Sequence, residues 1–165
     1  MSACHIRAIA NLDPARAFQR GIPFANVPGM IYSKATQYAV RALIRLGMTA
    51  NGQLSQVEEI ATSEQIPQHF LGKILQRLVH KRLVRSVKGI RGGFALALPP
   101  EKITLYLIAD AVEDLSISLS DCIYGNKTCG EDKPCPLHDS WAKLRDQQMN
   151  FLQTIRISDL IKSEV

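Results

Sequence analysis

From Ser33 onward, apolar residues return with a helical period. Ala35, Tyr38, Ala39, Ala42, Leu43 and Leu46 recur at three- and four-residue spacing and lay one apolar face along a first helix. Asn51-Gly52 breaks that pattern. Ser55-Gln56-Val57-Glu58 then has the form of a capping box, Ser55 capping the helix and Glu58 reaching back, which opens a short helix over Val57, Ile60 and Ala61. A third helix is expected from Pro67, whose missing N–H costs nothing in a first turn. Its inner face is Phe70, Leu71, Ile74, Leu75 and Leu78, and its outer face is Gln68, His69, Lys73, Gln76 and Arg77. Two strands follow, 83–87 and 94–98, joined by Lys88-Gly89-Ile90-Arg91-Gly92-Gly93, whose glycines permit a tight exposed turn. Pro99-Pro100 ends that unit.

Thr104 is placed to cap a further helix with Leu105, Ile108, Ala111, Val112 and Leu115 inside. Nearer the C-terminus, Leu137, Trp141, Leu144, Gln148, Phe151 and Ile155 form a heptad seam with one polar position. The seam reads as a dimer interface in which Gln148 fixes register, the alternative being an amphipathic helix lying on its own domain. Residues 1–29, with Pro14, Pro23, Pro28, Gly21 and Gly29, read as a disordered extension, which makes Met30 a candidate start; a short targeting segment is the other reading. The expected fold is mainly α with a small β-hairpin. A winged helix-turn-helix spans 30–100, and 101–165 carries a cysteine loop and a long C-terminal dimerisation helix.

Composition narrows the class. The chain is 46% hydrophobic and 21% charged, which is ordinary for an ordered globular protein. No apolar run approaches the length of a membrane span or a signal peptide, so the expected compartment is the cytoplasm and no membrane partner is expected. Net charge is +5, and its distribution matters more than its size. Lys73, Arg77, Lys81, Arg82, Arg85, Lys88 and Arg91 fall between residues 68 and 91, where no Asp or Glu occurs. Such a run on a helix and a Gly-rich hairpin points to double-stranded DNA, with RNA or protein docking as alternatives. Gln68, His69, Lys73 and Gln76 would face base edges in the major groove, and Arg77 a phosphate. Lys88 and Arg91 at the wing tip would reach the backbone or the minor groove. No nucleophile–base pair or phosphate-cradling motif stands out, which argues against an enzyme.

The chemistry-bearing cluster is Cys122-x6-Cys129-x5-Cys135-x2-His138. Thiols in a reducing compartment point to metal or redox chemistry rather than to a disulfide framework. Thiolates on a loop with a nearby imidazole suit an iron–sulfur cluster. Structural zinc fits the ligand set but prefers tighter gaps. A redox switch would need a low-pKa thiol, for which Lys127 and Lys133 are neighbours.

Residues 30 to about 160 resemble the IscR/NsrR family of bacterial iron–sulfur winged-helix regulators. The resemblance rests on Tyr38-Ala39-Val40, on Phe70-Leu71 with Ile74-Leu75-x-x-Leu78, on Gly92-Gly93-Phe94-x-Leu96, and on Ala111-Val112-Glu113. The three cysteines and Cys135-x2-His138-x2-Trp141 complete it. It implies a homodimeric transcriptional repressor at a pseudo-palindromic operator, sensing iron–sulfur status, redox state or nitric oxide. It also implies a cluster on Cys122, Cys129 and Cys135, with His138 as fourth ligand to a 2Fe-2S centre, as in the IscR-like branch. NsrR-like members take a carboxylate near the start of the first helix as fourth ligand to a 4Fe-4S centre, and Gln37 stands there in this chain. The gap between Cys122 and Cys129 is one residue longer than in IscR, which keeps 4Fe-4S open. Gly72 replaces an acidic residue that helps IscR select sequence, which implies a different operator preference.

Overall fold

The computed structural model describes residues 33–49, 52–89, 91–113, 115, 122, 124 and 134–164. The expected N-terminal extension, residues 1–29, lies outside them. Helix α1 (Lys34–Met48) begins where Ser33 turns extended and its Oγ accepts from Thr36 N at 3.4 Å. Thr36, Ala39, Val40, Ala42, Leu43 and Leu46 are buried, while Ala35 and Tyr38 sit half-buried at the rim.

Helix α2 (Val57–Glu64) starts one residue later than the expected capping box. Gln56 N donates to Glu59 Oε2 at 2.9 Å, so Gln56 and Glu59 take the roles assigned to Ser55 and Glu58. The cause is long-range. Ser55 exchanges two backbone hydrogen bonds with Phe94, at 2.9 and 2.8 Å, and cannot also begin a helix.

Helix α3 is Gln68–His80, and Pro67 precedes it rather than filling its first turn. The Pro67 carbonyl accepts from Phe70 N and Leu71 N, both at 3.0 Å. Leu71, Ile74, Leu75 and Leu78 are buried, each contributing about 1.5–3 kcal/mol by leaving water. Phe70 stays at the edge, its ring meeting Tyr38 edge-on with centroids 5.9 Å apart. The helix stops because Arg82 adopts φ 60° and Leu83 N closes back on Leu78 O at 2.9 Å.

Strands β1 (Val84–Val87) and β2 (Gly93–Leu96) form an antiparallel hairpin, with Val84 opposite Leu96 and Val87 opposite Gly93. Both are slightly shorter than expected, although Ala97 N still donates to Leu83 O at 3.0 Å. Two glycines are required here. Gly89 has φ +114°, and a Cβ on Gly93 would lie 2.6 Å from the Ser55 carbonyl oxygen.

A 3-10 turn (Pro100–Lys102) leads into α4 (Leu105–Glu113), capped by Thr104 Oγ1, which accepts from Leu107 N at 3.3 Å. Leu105, Ile108, Ala111, Val112 and Leu115 are buried, as the periodicity predicts. Helix α5 (His138–Thr154) is followed by α6 (Ile157–Glu164), which the sequence pattern did not reveal. The link between them returns to the start of α4: Leu105 N donates to Ile155 O at 3.0 Å and Ile157 N to Ile103 O at 2.9 Å. Helix α4 packs on α1 and α3, and α6 packs on α1, so residues on both sides of position 100 share one core. No helix among the described residues is long and apolar enough to cross a membrane.

Candidate nucleic-acid interface and cysteine segment

Burying Leu71, Ile74, Leu75 and Leu78 turns the opposite face of α3 to solvent. His69, Lys73, Gln76 and His80 follow one another at spacings of four, three and four, and form an exposed stripe along its middle. Gln68 and Gly72 flank that stripe on one side. A Cβ on Gly72 would meet nothing within 4 Å, so the position is open space rather than a packing requirement. Arg77 flanks the other side, and there it has a partner within the chain. Its Nη1 donates to the Val112 carbonyl oxygen at 2.9 Å, which ties α3 to the end of α4. Lys88 and Arg91 are exposed at the wing tip, on the turn that Gly89 shapes.

The sequence pattern gives His80 no role and places Lys81 only within the basic run. His80 is the last residue of α3 and continues the stripe four positions past Gln76, a spacing visible in the sequence. Lys81 follows as the C-cap and pairs with Asp110 Oδ2 at 2.9 Å. That ion pair is half-exposed, so it fixes geometry more than it adds stability.

The end of α4 holds two elements at once. Glu113 Oε1 accepts from Ser33 N at 2.7 Å and from the Thr36 hydroxyl, binding the α1 N-terminus with a carboxylate. The neighbouring Val112 carbonyl holds Arg77 of α3. Residues 112–113 therefore couple α1, α3 and α4 on the N-terminal side of the cysteine segment.

In that segment Cys122 and Cys135 are half-buried. His138 is the first residue of α5, and its backbone N–H donates to Cys135 O at 3.0 Å, so thiol and imidazole share one turn at the helix start. Cys129 lies outside the described residues. Among those described, no three His, Cys, Asp or Glu side chains gather closely enough to hold a metal ion. In donor chemistry, thiolates with an imidazole fit an iron–sulfur group.

On α5 only Leu152 is buried. Trp141, Gln148 and Phe151 are half-buried, and Leu144 is 45% exposed. Ile155 behaves differently from its seam neighbours, because it lies past the helix end and is buried within its own chain.

Comparison with known proteins gives a family model described as "Rrf2: Iron-dependent Transcriptional regulator", matching residues 32–163. The chain is 39% identical to a candidate HTH-type transcriptional regulator of Aquifex aeolicus (strain VF5), over 82% of this chain and 94% of the relative. It is 31% identical to the HTH-type transcriptional regulator NsrR of Oceanobacillus iheyensis, over 82% of this chain and 92% of that one. Its fold is similar to that of CymR (YrzC), the global cysteine regulator of B. subtilis, with a TM-score of 0.69 at 22% identity, over 81% of this chain and 98% of that one.

Proposed function

Because the chain belongs to the Rrf2 family of transcriptional regulators, and so is a DNA-binding regulator rather than an enzyme, we propose that an iron–sulfur cluster on its cysteine segment controls its grip on an operator. The observation that carries this reading is the position of the segment in the chain. It follows α4, whose Val112 and Glu113 hold α3 and α1, and it enters α5 through Cys135 and His138.

In this reading Cys122, Cys129 and Cys135 bind the cluster and His138 completes the set, 2Fe-2S being favoured over 4Fe-4S. When bound, such a group supplies a redox- and nitric-oxide-reactive centre whose gain or loss changes the segment's preferred shape. The protein's own residues do the rest. Movement of the segment pulls on residues 112–113, loosening or tightening the Glu113 cap on α1 and the Arg77 bond to Val112. Both bonds set how the α3 stripe is presented. Gln68, His69, Lys73 and Gln76 contact base edges, Arg77 contacts a phosphate beside them, and Lys88 and Arg91 contact the backbone or the minor groove.

Trp141, Leu144, Gln148 and Phe151 face a second copy of the chain. The dimer then presents two reading helices to a pseudo-palindromic operator in the cytoplasm. Ile155 is left out of that interface because its side chain is already used inside the subunit. Repression is the favoured sign of regulation. Switching operator occupancy from nearly full to nearly empty requires the two states to differ by about 5.5 kcal/mol in DNA affinity.

Anaerobic purification with iron, acid-labile sulfide and zinc analysis tests the reading. Iron and sulfide in stoichiometric amount, a visible absorption band, and operator affinity that changes on cluster removal are expected. Colourless protein containing zinc, or DNA affinity indifferent to iron, would leave a zinc-containing or cluster-free regulator instead.

A further inference from the structure

A cleft of about 420 Å³ opens between α3 and α4, lined by Lys73, Gln76, Arg77, His80, Lys81 and Ala111. It shares Lys73, Gln76 and His80 with the reading stripe, and α4 contributes only the small Ala111 to its lining. Two of its cations are held from the α4 side, Arg77 by the Val112 carbonyl and Lys81 by Asp110, each at 2.9 Å. Holding a long basic side chain in place lowers the conformational entropy lost when it meets an anion. Val112 takes one of the five guanidinium N–H donors of Arg77, which leaves others for a second acceptor. Asp110 offsets one positive charge, and Lys73 and Arg77 keep the cleft cationic. A base edge calls for a mixture of donors and acceptors. Here Gln76 is the only amide among cationic and imidazole groups, a set that suits an oxyanion.

We propose that this cleft is a phosphate seat. His80 and Lys81, with Arg77, receive one backbone phosphate of duplex DNA beside the groove that α3 reads, and Lys73 adds its charge from the base-reading side. The proposal rests on α3 being the reading helix. A free phosphate or a phosphorylated small molecule offers the same oxyanion, and the experiment separates these sources.

Binding of a labelled duplex of arbitrary sequence is followed by fluorescence anisotropy across a potassium chloride series. The proteins are the full-length chain, Lys81→Gln, His80→Gln, Ala111→Met and the control Lys162→Gln on α6. In parallel, inorganic phosphate is titrated into DNA-free protein while the His80 ring resonances are followed by NMR, with ionic strength matched by chloride. A DNA phosphate in the cleft gives Lys81→Gln a salt slope shallower by about 0.9. His80→Gln weakens binding on every sequence, Ala111→Met does so without changing charge, and Lys162→Gln matches the unmodified chain.

Saturable, phosphate-specific shifts of His80 that vanish in Lys81→Gln, together with unchanged salt slopes, assign the seat to a free anion. Slopes and affinities equal to the unmodified protein in both His80→Gln and Lys81→Gln, with phosphate acting no differently from chloride, overturn the proposal. These two substitutions lie on the surface and decide the matter should Ala111→Met unfold. If the unmodified chain binds no duplex at all, the α3 reading falls, and the phosphate titration still decides whether the cleft takes an oxyanion.

Discussion

Helices α3 and α5 meet different fates. The first has 13 residues and buries four aliphatic side chains; the second has 17 and buries only Leu152. Helix α3 completes its apolar face within the subunit, against α1, α2 and α4. Helix α5 leaves Leu144 at 45% exposure and the preceding Leu137 at 49%, with Trp141, Gln148 and Phe151 half-covered. The contrast teaches that α3 owes its position to its own chain. A helix as sparsely buried as α5 keeps apolar surface that the proposed second copy would cover.

The sharpest way to break this contrast is to damage each half and ask whether the other notices. Leu75→Ala empties a fully buried site on α3 and should cost about 2–5 kcal/mol, read as a lower melting temperature and lost DNA binding together. Cys135→Ala should abolish iron retention while the melt stays close to that of the cluster-free parent; a collapse as large as that of Leu75→Ala would show that the cysteine segment is part of the core.

Leu144→Asp comes next. It should weaken self-association by about 2 kcal/mol or more, visible as monomer in sedimentation velocity, while the helical circular dichroism of the subunit persists. An unchanged dimer would place the interface elsewhere. Glu113→Ala has a smaller effect, about 1 kcal/mol from the lost cap on α1. Its more telling readout is the ratio of DNA affinities with and without iron, which should shrink if residues 112–113 transmit the signal. Smallest of all, Lys88→Ala should weaken binding equally on all sequences and make the salt slope shallower by about 0.9. Sequence-dependent loss would give the wing a base-reading role.

The inner faces of α1, α3 and α4 were legible because each is an amphipathic repeat satisfied nearby in the fold. Leu43, Leu71, Leu75 and Ile108 all lie where the spacing put them. The failures share a cause, which is bonding to distant residues. Ser55 looked like a cap, but its backbone is taken by Phe94. Arg77 stands out by charge alone, and nothing in the local pattern signals its bond to a carbonyl 35 residues away. Helix α6 escaped notice because only eight residues carry its pattern and its start depends on pairing with Ile103. For the cysteine segment, residue type revealed the chemistry, whereas the gathering of the donors is a matter of loop conformation that no periodicity encodes.

The clasp formed by Ile103 and Leu105 with Ile155 and Ile157 ties the tail to the same core as the hairpin, although some 60 positions of chain separate α6 from the wing. Trimming the protein after Thr154 would strip a wall from α1 rather than remove an ornament. Fusion tags and shortened variants meant to isolate the N-terminal helices and hairpin should therefore retain α6 through Glu164, even if the cysteine segment is replaced.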